Sequence, residues 1–300
     1  MQGSRSELPR RGQWTEDPAT WPVSDEARER AHWLIERDLR ERLLASDRDE
    51  RERVTAEVYD ELFERVPWHP ANQPDSESPE DGDHRWLRAY SGLCSPGATV
   101  ADLGCGLGGV VIGLASRAKE AVGVDSSREM VQRCRAKAPV NTRFVVGSVV
   151  DPPLERSSFD LITSRQVIEH LHPEDLDDHL RAVARLLKPD GAFLVVTPQA
   201  LTGPWDCSRG FTEEPSGFHT AEMTHAELAE RMIRAGFRRT SSPVGGAGVR
   251  SRLRVPGHRG WVPTRVKSYG EKLVSAVPPS RRGTVAKLTN TGLVTVLGRL

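Results

Sequence analysis

The chain lacks what several protein classes are built from. No run among its 300 residues approaches the ~20 apolar positions of a membrane-spanning helix, and Met1–Gln13 is polar, without the apolar centre of a signal peptide. Four cysteines, Cys94, Cys105, Cys134 and Cys207, show no C-x-x-C spacing, which argues against a disulfide frame or a zinc ribbon and points to free thiols in a cytoplasmic chain. Aromatic residues make up 6%. No segment interleaves them with basic residues as a base-stacking surface does, an argument against a nucleic-acid partner.

A net charge is lacking too, because 42 Lys and Arg balance 42 Asp and Glu. The balance conceals a gradient: Met1–Tyr90 holds 14 basic against 22 acidic residues, and Arg250–Leu300 holds 11 against 1. Such segments either pack against each other or face solvent, and an anionic substrate or partner near the basic end is the sharper alternative. Hydrophobic residues, at 37%, suffice for one large domain or one domain with additions.

What is present centres on Thr99-Val-Ala-Asp-Leu-Gly-Cys-Gly-Leu-Gly-Gly109. Thr99–Leu103 reads as a buried strand. Gly104, Gly106 and Gly109 form G-x-G-x-x-G at the opening of a helix whose apolar face is Val110, Ile112, Leu114 and Ala115. Nicotinamide and flavin enzymes use such a turn as well. Two features discriminate. Asp102 offers a carboxylate at the strand end, which suits an ammonium-bearing ligand better than a pyrophosphate. Ala121-Val-Gly-Val-Asp125 reads as the next strand and ends in an acid able to take both hydroxyls of a ribose.

Val100–Gly109 resembles motif I of the class I methyltransferases that use S-adenosylmethionine (SAM). Asp125 matches the ribose-binding acid of that family, Phe159-Asp-Leu-Ile-Thr163 its fourth strand, and Leu187–Thr197 its helix-turn-strand into strand five. The resemblance covers about Thr99 to Phe237. It implies an α/β, Rossmann-like fold with a seven-stranded sheet, helices on both faces, an N-terminal helical lid, and SAM as cofactor. The cofactor-binding set it implies is Asp102, Gly104, Cys105, Gly106 and Gly109 in the turn, Asp125 and Ser126 after strand two, and Arg165 after strand four. Ser148 and Val149 join that set where many relatives carry an acid for the adenine amino group.

Residues 1–90 read as an arm and lid, and 91–300 as the core with an insertion at about 245–290. Met1–Val23 is a proline-containing arm in which Trp14 and Trp21 are docking candidates. Ser24 caps a helix from Asp25 to about Ala45 with Ala31, Leu34, Ile35 and Leu39 on one side. A second helix, about Asp47 to Val66, places Val54, Val58, Tyr59, Leu62, Phe63 and Val66 on a stripe. Ala71–Asp83 reads as a mobile loop and His84–Gly92 as a short helix. Thr224-His-Ala-Glu227 is a capping box, and Phe237 begins strand six. Pro198–Phe218 is an irregular insert at the ligand-binding edge of the sheet. In the insertion, Val266, Leu273, Val274 and Val277 suggest an amphipathic helix. Gly292–Leu300 is expected as the last strand, antiparallel and between strands five and six as the resemblance implies.

Methyl transfer needs alignment more than covalent catalysis. For a hydroxyl acceptor a proton acceptor helps, and His170, His219 and Glu169 are the candidates, with His170 favoured. The leading expectation is a SAM-dependent methyltransferase acting on a hydroxyl, or an amine, of a small metabolite or sugar. A nicotinamide oxidoreductase and a nonenzymatic SAM-binding protein remain as rivals. A third rival is metal-assisted: Gln166-Val-Ile-Glu-His-Leu171 with His219–Thr224 resembles the metal-binding segments of RNA 2′-O-methyltransferases. Gln166 and Leu171 replace two ligands of that pattern, so no metal is expected.

Overall fold

The computed structural model describes residues 24–69, 72, 91–243, 260–289 and 291–300. The expected arm Met1–Val23, the loop Ala71–Asp83 apart from Asn72, residues 84–90 of the short helix expected at His84–Gly92, and most of the first half of the insertion lie outside the described residues; Ser91 and Gly92 are helical.

The sheet carries the site. Its strands are β1 (Thr99–Leu103), β2 (Glu120–Asp125), β3 (Thr142–Val146), β4 (Phe159–Arg165), β5 (Leu187–Pro198), β6 (Arg239–Pro243), β7 (Trp261–Pro263) and β8 (Leu293–Arg299). They lie in the order β3-β2-β1-β4-β5-β8-β6-β7. β1 to β5 run parallel, and β8 is antiparallel to both β5 and β6. The expected wedge position of the last strand is thus observed. The expected count of seven strands is corrected to eight, because Trp261–Pro263 of the insertion pairs with the outer edge of β6. Strand order reverses between β1 and β4, and crevices at such switch points are where open α/β sheets bind ligands.

Apolar side chains alternate to both faces of the sheet. α3 (Gly109–Leu114) and α4 (Arg128–Ala136) cover one face with Val110, Val111, Leu114, Val131 and Cys134. α5 (Leu176–Leu186) and α6 (His225–Arg234) cover the other with Leu176, Leu180, Val183, Leu228 and Met232. The capping box of α6 is complete, Thr224 and Glu227 each serving the other's backbone.

α1 (Asp25–Leu44) and α2 (Arg51–Arg65) form a third layer. α1 is capped by Ser24, which accepts from Ala27 N at 3.2 Å. α2 begins four residues later than its apolar pattern alone suggests. The stripes meet in a small core of Ile35, Leu39, Leu43, Val54, Val58, Leu62 and Val66, and Phe218 of the distant insert completes it.

α7 (Arg265–Ser275) and α8 (Pro279–Thr289) fill the described part of the insertion. α7 divides the expected apolar set: Val274 is buried and Val277 half-buried, but Val266 and Leu273 face solvent. Val266, Tyr269 and Leu273 are 46%, 69% and 58% exposed, while Lys267, Glu271 and Val274 are buried. The cause is polar: Glu271 accepts from Gln199 Nε2 at 2.8 Å and from His225 N and Nδ1 at 2.6 and 2.9 Å, and these bonds fix which side of the helix turns inward. No helix among the described residues is long and apolar enough to cross a membrane.

Candidate active site

After Leu103 the chain turns through Gly104 and Gly106, with φ of 75° and 48°, into α3. A Cβ on Gly104 would lie 2.3 Å from Val167 Cγ2, so both conformation and space demand glycine there. At Gly106 nothing lies within 4 Å of a built Cβ. That open side faces a cavity of about 450 Å³ at the switch point of the sheet.

Asp125 ends β2 in the wall of this cavity. Its Oδ2 accepts from Gly106 N at 2.8 Å and its Oδ1 from Ser127 N at 2.9 Å. A carboxylate has about four lone-pair positions, so two remain for a ligand with paired hydroxyls. Burial raises its pKa and the backbone donors oppose that rise. Gly104, Gly106, Ser126, Ser148 and Val149, all expected from sequence, line the same cavity. Ser148 Oγ already accepts from Val150 N at 3.1 Å.

The other expected cofactor residues do not line it. Asp102 sits behind the turn, buried, accepting from Thr163 Oγ1 at 2.6 Å, and burial lifts its pKa to about 7 against that bond. Cys105 points inward; a Cβ on Gly123 would meet its sulfur at 2.8 Å. Gly109 is the first residue of α3, and Arg165 is the exposed end of β4.

The far end of the cavity is roofed by Tyr59 and Phe63 of α2 and walled by Gln166, Val167 and His170. Gln166 is held at φ 55°, a left-handed geometry that a long side chain adopts at a cost of about 1–2 kcal/mol. A short 3₁₀ turn, Ile168–His170, then sends successive side chains apart. Glu169 is 0% exposed; its Oε2 accepts from Thr197 Oγ1 at 3.0 Å, its Oε1 has no partner, and burial lifts its pKa to about 7. His170 Nδ1 lies 3.2 Å from Phe218 O, the geometry of an N–H donating to a carbonyl, which leaves Nε2 its lone pair. Burial, with His219 nearby, holds its pKa down at about 3, so the ring is neutral.

His219 comes from the end of the insert, with its ring centroid 4.8 Å from that of His170. Its Nδ1 is 2.8 Å from Glu222 Oε1, on a side chain 2% exposed. Burial lowers its pKa, but the bond to Glu222 and the charge of Glu169 outweigh burial, and the pKa lies above the ordinary histidine value. The three catalytic candidates therefore come together, and only His170 lines the cavity, with Glu169 and His219 packed behind it. Glu169, His170 and His219 also place one ligand atom each within 4.8 Å of one another. Sequence reading missed Glu222 as a partner, although its spacing three residues after His219 was a signal. It also treated Tyr59 and Phe63 as stripe residues when they line the cavity.

The family described as "Methyltransferase domain" matches residues 100–191. Those residues contain the glycine turn, Asp125, and the Glu169–His170 turn. Residues 100–191 are a methyltransferase domain. The cofactor of this domain is SAM, and the open side of Gly106 with the free positions on Asp125 fits its nucleoside. The methyltransferase fold is shared with a SAM-dependent methyltransferase from Mesorhizobium loti, at a TM-score of 0.50 and 19% identity, covering 74% of this chain and 100% of that one. A "Probable S-adenosylmethionine-dependent methyltransferase" of Mycolicibacterium smegmatis is 36% identical over 142 residues, 47% of this chain and 52% of that protein. A "Ubiquinone biosynthesis O-methyltransferase" of Xanthomonas campestris pv. campestris is 35% identical over 106 residues, 34% of this chain and 44% of that protein. The chain thus spans about half the length of the curated relatives it matches first.

Proposed function

We propose that the protein transfers a methyl group from SAM to a hydroxyl, or an amine, of a small metabolite, with His219 as the proton acceptor. The observation that carries this reading is the buried His219–Glu222 pair, whose histidine ring packs edge-on behind His170, the residue that lines the end of a cavity whose other end is the glycine turn and Asp125. When bound, SAM supplies a methyl on a positively charged sulfur. Asp125 and the turn fix the orientation of the nucleoside. Glu222 takes the Nδ1–H of His219, which leaves Nε2 to accept a proton, and a pKa above the ordinary histidine value makes it a stronger acceptor. His170, kept neutral, offers Nε2 as a hydrogen-bond acceptor to an incoming O–H or N–H. Tyr59 and Phe63, on the lid, shut water from this end. Similarity to the ubiquinone-pathway enzyme supports an oxygen acceptor.

A second reading is kept because Glu169, His170 and His219 converge and Glu169 Oε1 is buried without a partner. In it these residues hold a divalent ion that activates the hydroxyl, as in metal-assisted RNA 2′-O-methyltransferases. One experiment separates the two. Hydroxylated and aminated metabolites are screened for SAM-dependent gain of one methyl, and the pH–rate profile of the best substrate is recorded with and without chelator. The base reading expects a rate that rises through a pKa above 6.5 and is indifferent to chelator. Loss of rate on chelation, restored by metal, replaces it with the metal reading. Cofactor binding without turnover of any acceptor leaves a nonenzymatic SAM-binding protein.

A further inference from the structure

A second cluster lies away from the cavity, where the lid meets the insert. His32 and Glu36 stand one turn apart on α1, four residues being the spacing at which two side chains of a helix reach the same ion. Cys207 approaches them from the insert, 171 residues further along the chain. His32 Nε2 is 2.9 Å from Glu36 Oε1, and Cys207 Sγ is 2.7 Å from Glu36 Oε2. The three ligand atoms all fall within 4.8 Å of one another.

Two observations go beyond proximity. His32 Nε2 is buried and makes no well-formed hydrogen bond, although Glu36 Oε1 is 2.9 Å away. Gly217 packs directly against the cluster, where only glycine fits: a Cβ there would stand 2.7 Å from Glu36 Oε2, 2.8 Å from Cys207 Sγ and 2.9 Å from Asp206 Oδ2. Nitrogen, sulfur and oxygen donors in one buried set suit a borderline, tetrahedral ion. A thiolate and a carboxylate also neutralise a divalent charge.

We propose that His32, Glu36 and Cys207 form a binding site for a divalent transition metal of the zinc class. Coordination forms Zn–N, Zn–O and Zn–S bonds, and the Cys207 thiol proton leaves to solvent. The ion fastens α1 to the insert. Glu36 Oε2 accepts from Phe218 N at 2.9 Å, one residue before His219, so the site also holds the strand of chain that delivers His219.

The test titrates the purified full-length chain, stripped with chelator, with Co²⁺. A single bound ion is expected to give a thiolate-to-cobalt charge-transfer band in the near ultraviolet. Glu169, His170 and His219 contain no sulfur, so the band reports this cluster alone. Cys207→Ser should abolish it with Cys94, Cys105 and Cys134 still present. His32→Gln should weaken Co²⁺ affinity by at least about tenfold, and keeps the test decisive if Cys207→Ser does not fold. A stripped wild type that gives no band on cobalt addition, a band that survives in Cys207→Ser, or an unchanged affinity in His32→Gln would overturn the site and leave a hydrogen-bonded hub around Glu36.

Discussion

The two ends of the cavity are built differently. The cofactor end is made largely of backbone: a glycine turn, a strand-end carboxylate, and two amides that hold it, all within the stretch from Thr99 to Ser127. The acceptor end is made of side chains from α2 and the turn after β4, with His219 of the segment before α6 packed behind His170. A site made of backbone tolerates few substitutions of shape and many of chemistry. A site made of converging side chains has the opposite tolerance. Changes at the first end should therefore move cofactor affinity and stability, and changes at the second should move turnover.

The largest effect is expected at the acceptor end. His219→Gln should lower kcat by about 10²–10⁴-fold while leaving the dissociation constant of S-adenosylhomocysteine near wild type; a kcat within a factor of two of wild type would erase the functional difference between the two ends. Gly104→Val comes next. It puts a branched side chain at φ 75° against Val167 and should cost roughly 3 kcal/mol or more in urea unfolding. A fully stable Gly104→Val protein would mean that the turn is not shape-limited.

Asp125→Ala should weaken cofactor binding by about 2–3 kcal/mol, since two hydrogen bonds to a charged acceptor are lost, and calorimetry reads this directly. Next is an effect of pH on stability. His170 is held neutral, with a pKa near 3, so the unfolded chain binds a proton that the folded chain refuses. Stability from this group is complete above about 6.5 and falls as pH drops from there toward 3. His170→Gln should therefore be less acid-sensitive by roughly 2 kcal/mol in that window, and equal slopes in wild type and variant would count against a buried neutral ring. The smallest effect is at Ser148→Ala, where the hydroxyl is already engaged with Val150 N, and affinity should change by no more than about 1 kcal/mol.

The same difference governs how much was legible in the sequence. The glycine turn, Asp125 and the strand-helix alternation were readable because each is specified by neighbours within a few residues. The capping box at Thr224 was readable for the same reason. The antiparallel last strand could be expected only through family resemblance, since nothing local to Leu293–Arg299 fixes its partner. The short β7 escaped because three residues carry no period. The inward side of α7 was not legible, because it is set by Glu271, whose burial depends on His225 and Gln199, both far away in sequence. The opposite pKa shifts of His170 and His219 were not legible: burial decides one ring and Glu222 the other, and neither is visible in a list of titratable residues.

Phe218 belongs to both halves of this arrangement. Its ring completes the apolar core of α1 and α2, its amide donates to Glu36, and its carbonyl receives His170. A lid movement large enough to withdraw that ring breaks the amide bond to the lid and displaces the carbonyl that sets the His170 tautomer, one residue from His219. With α1 and α2 as the proposed lid and His219 as the proposed base, closing the lid and setting both histidines are one event, because the same residue serves as the latch of one and the rest of the other.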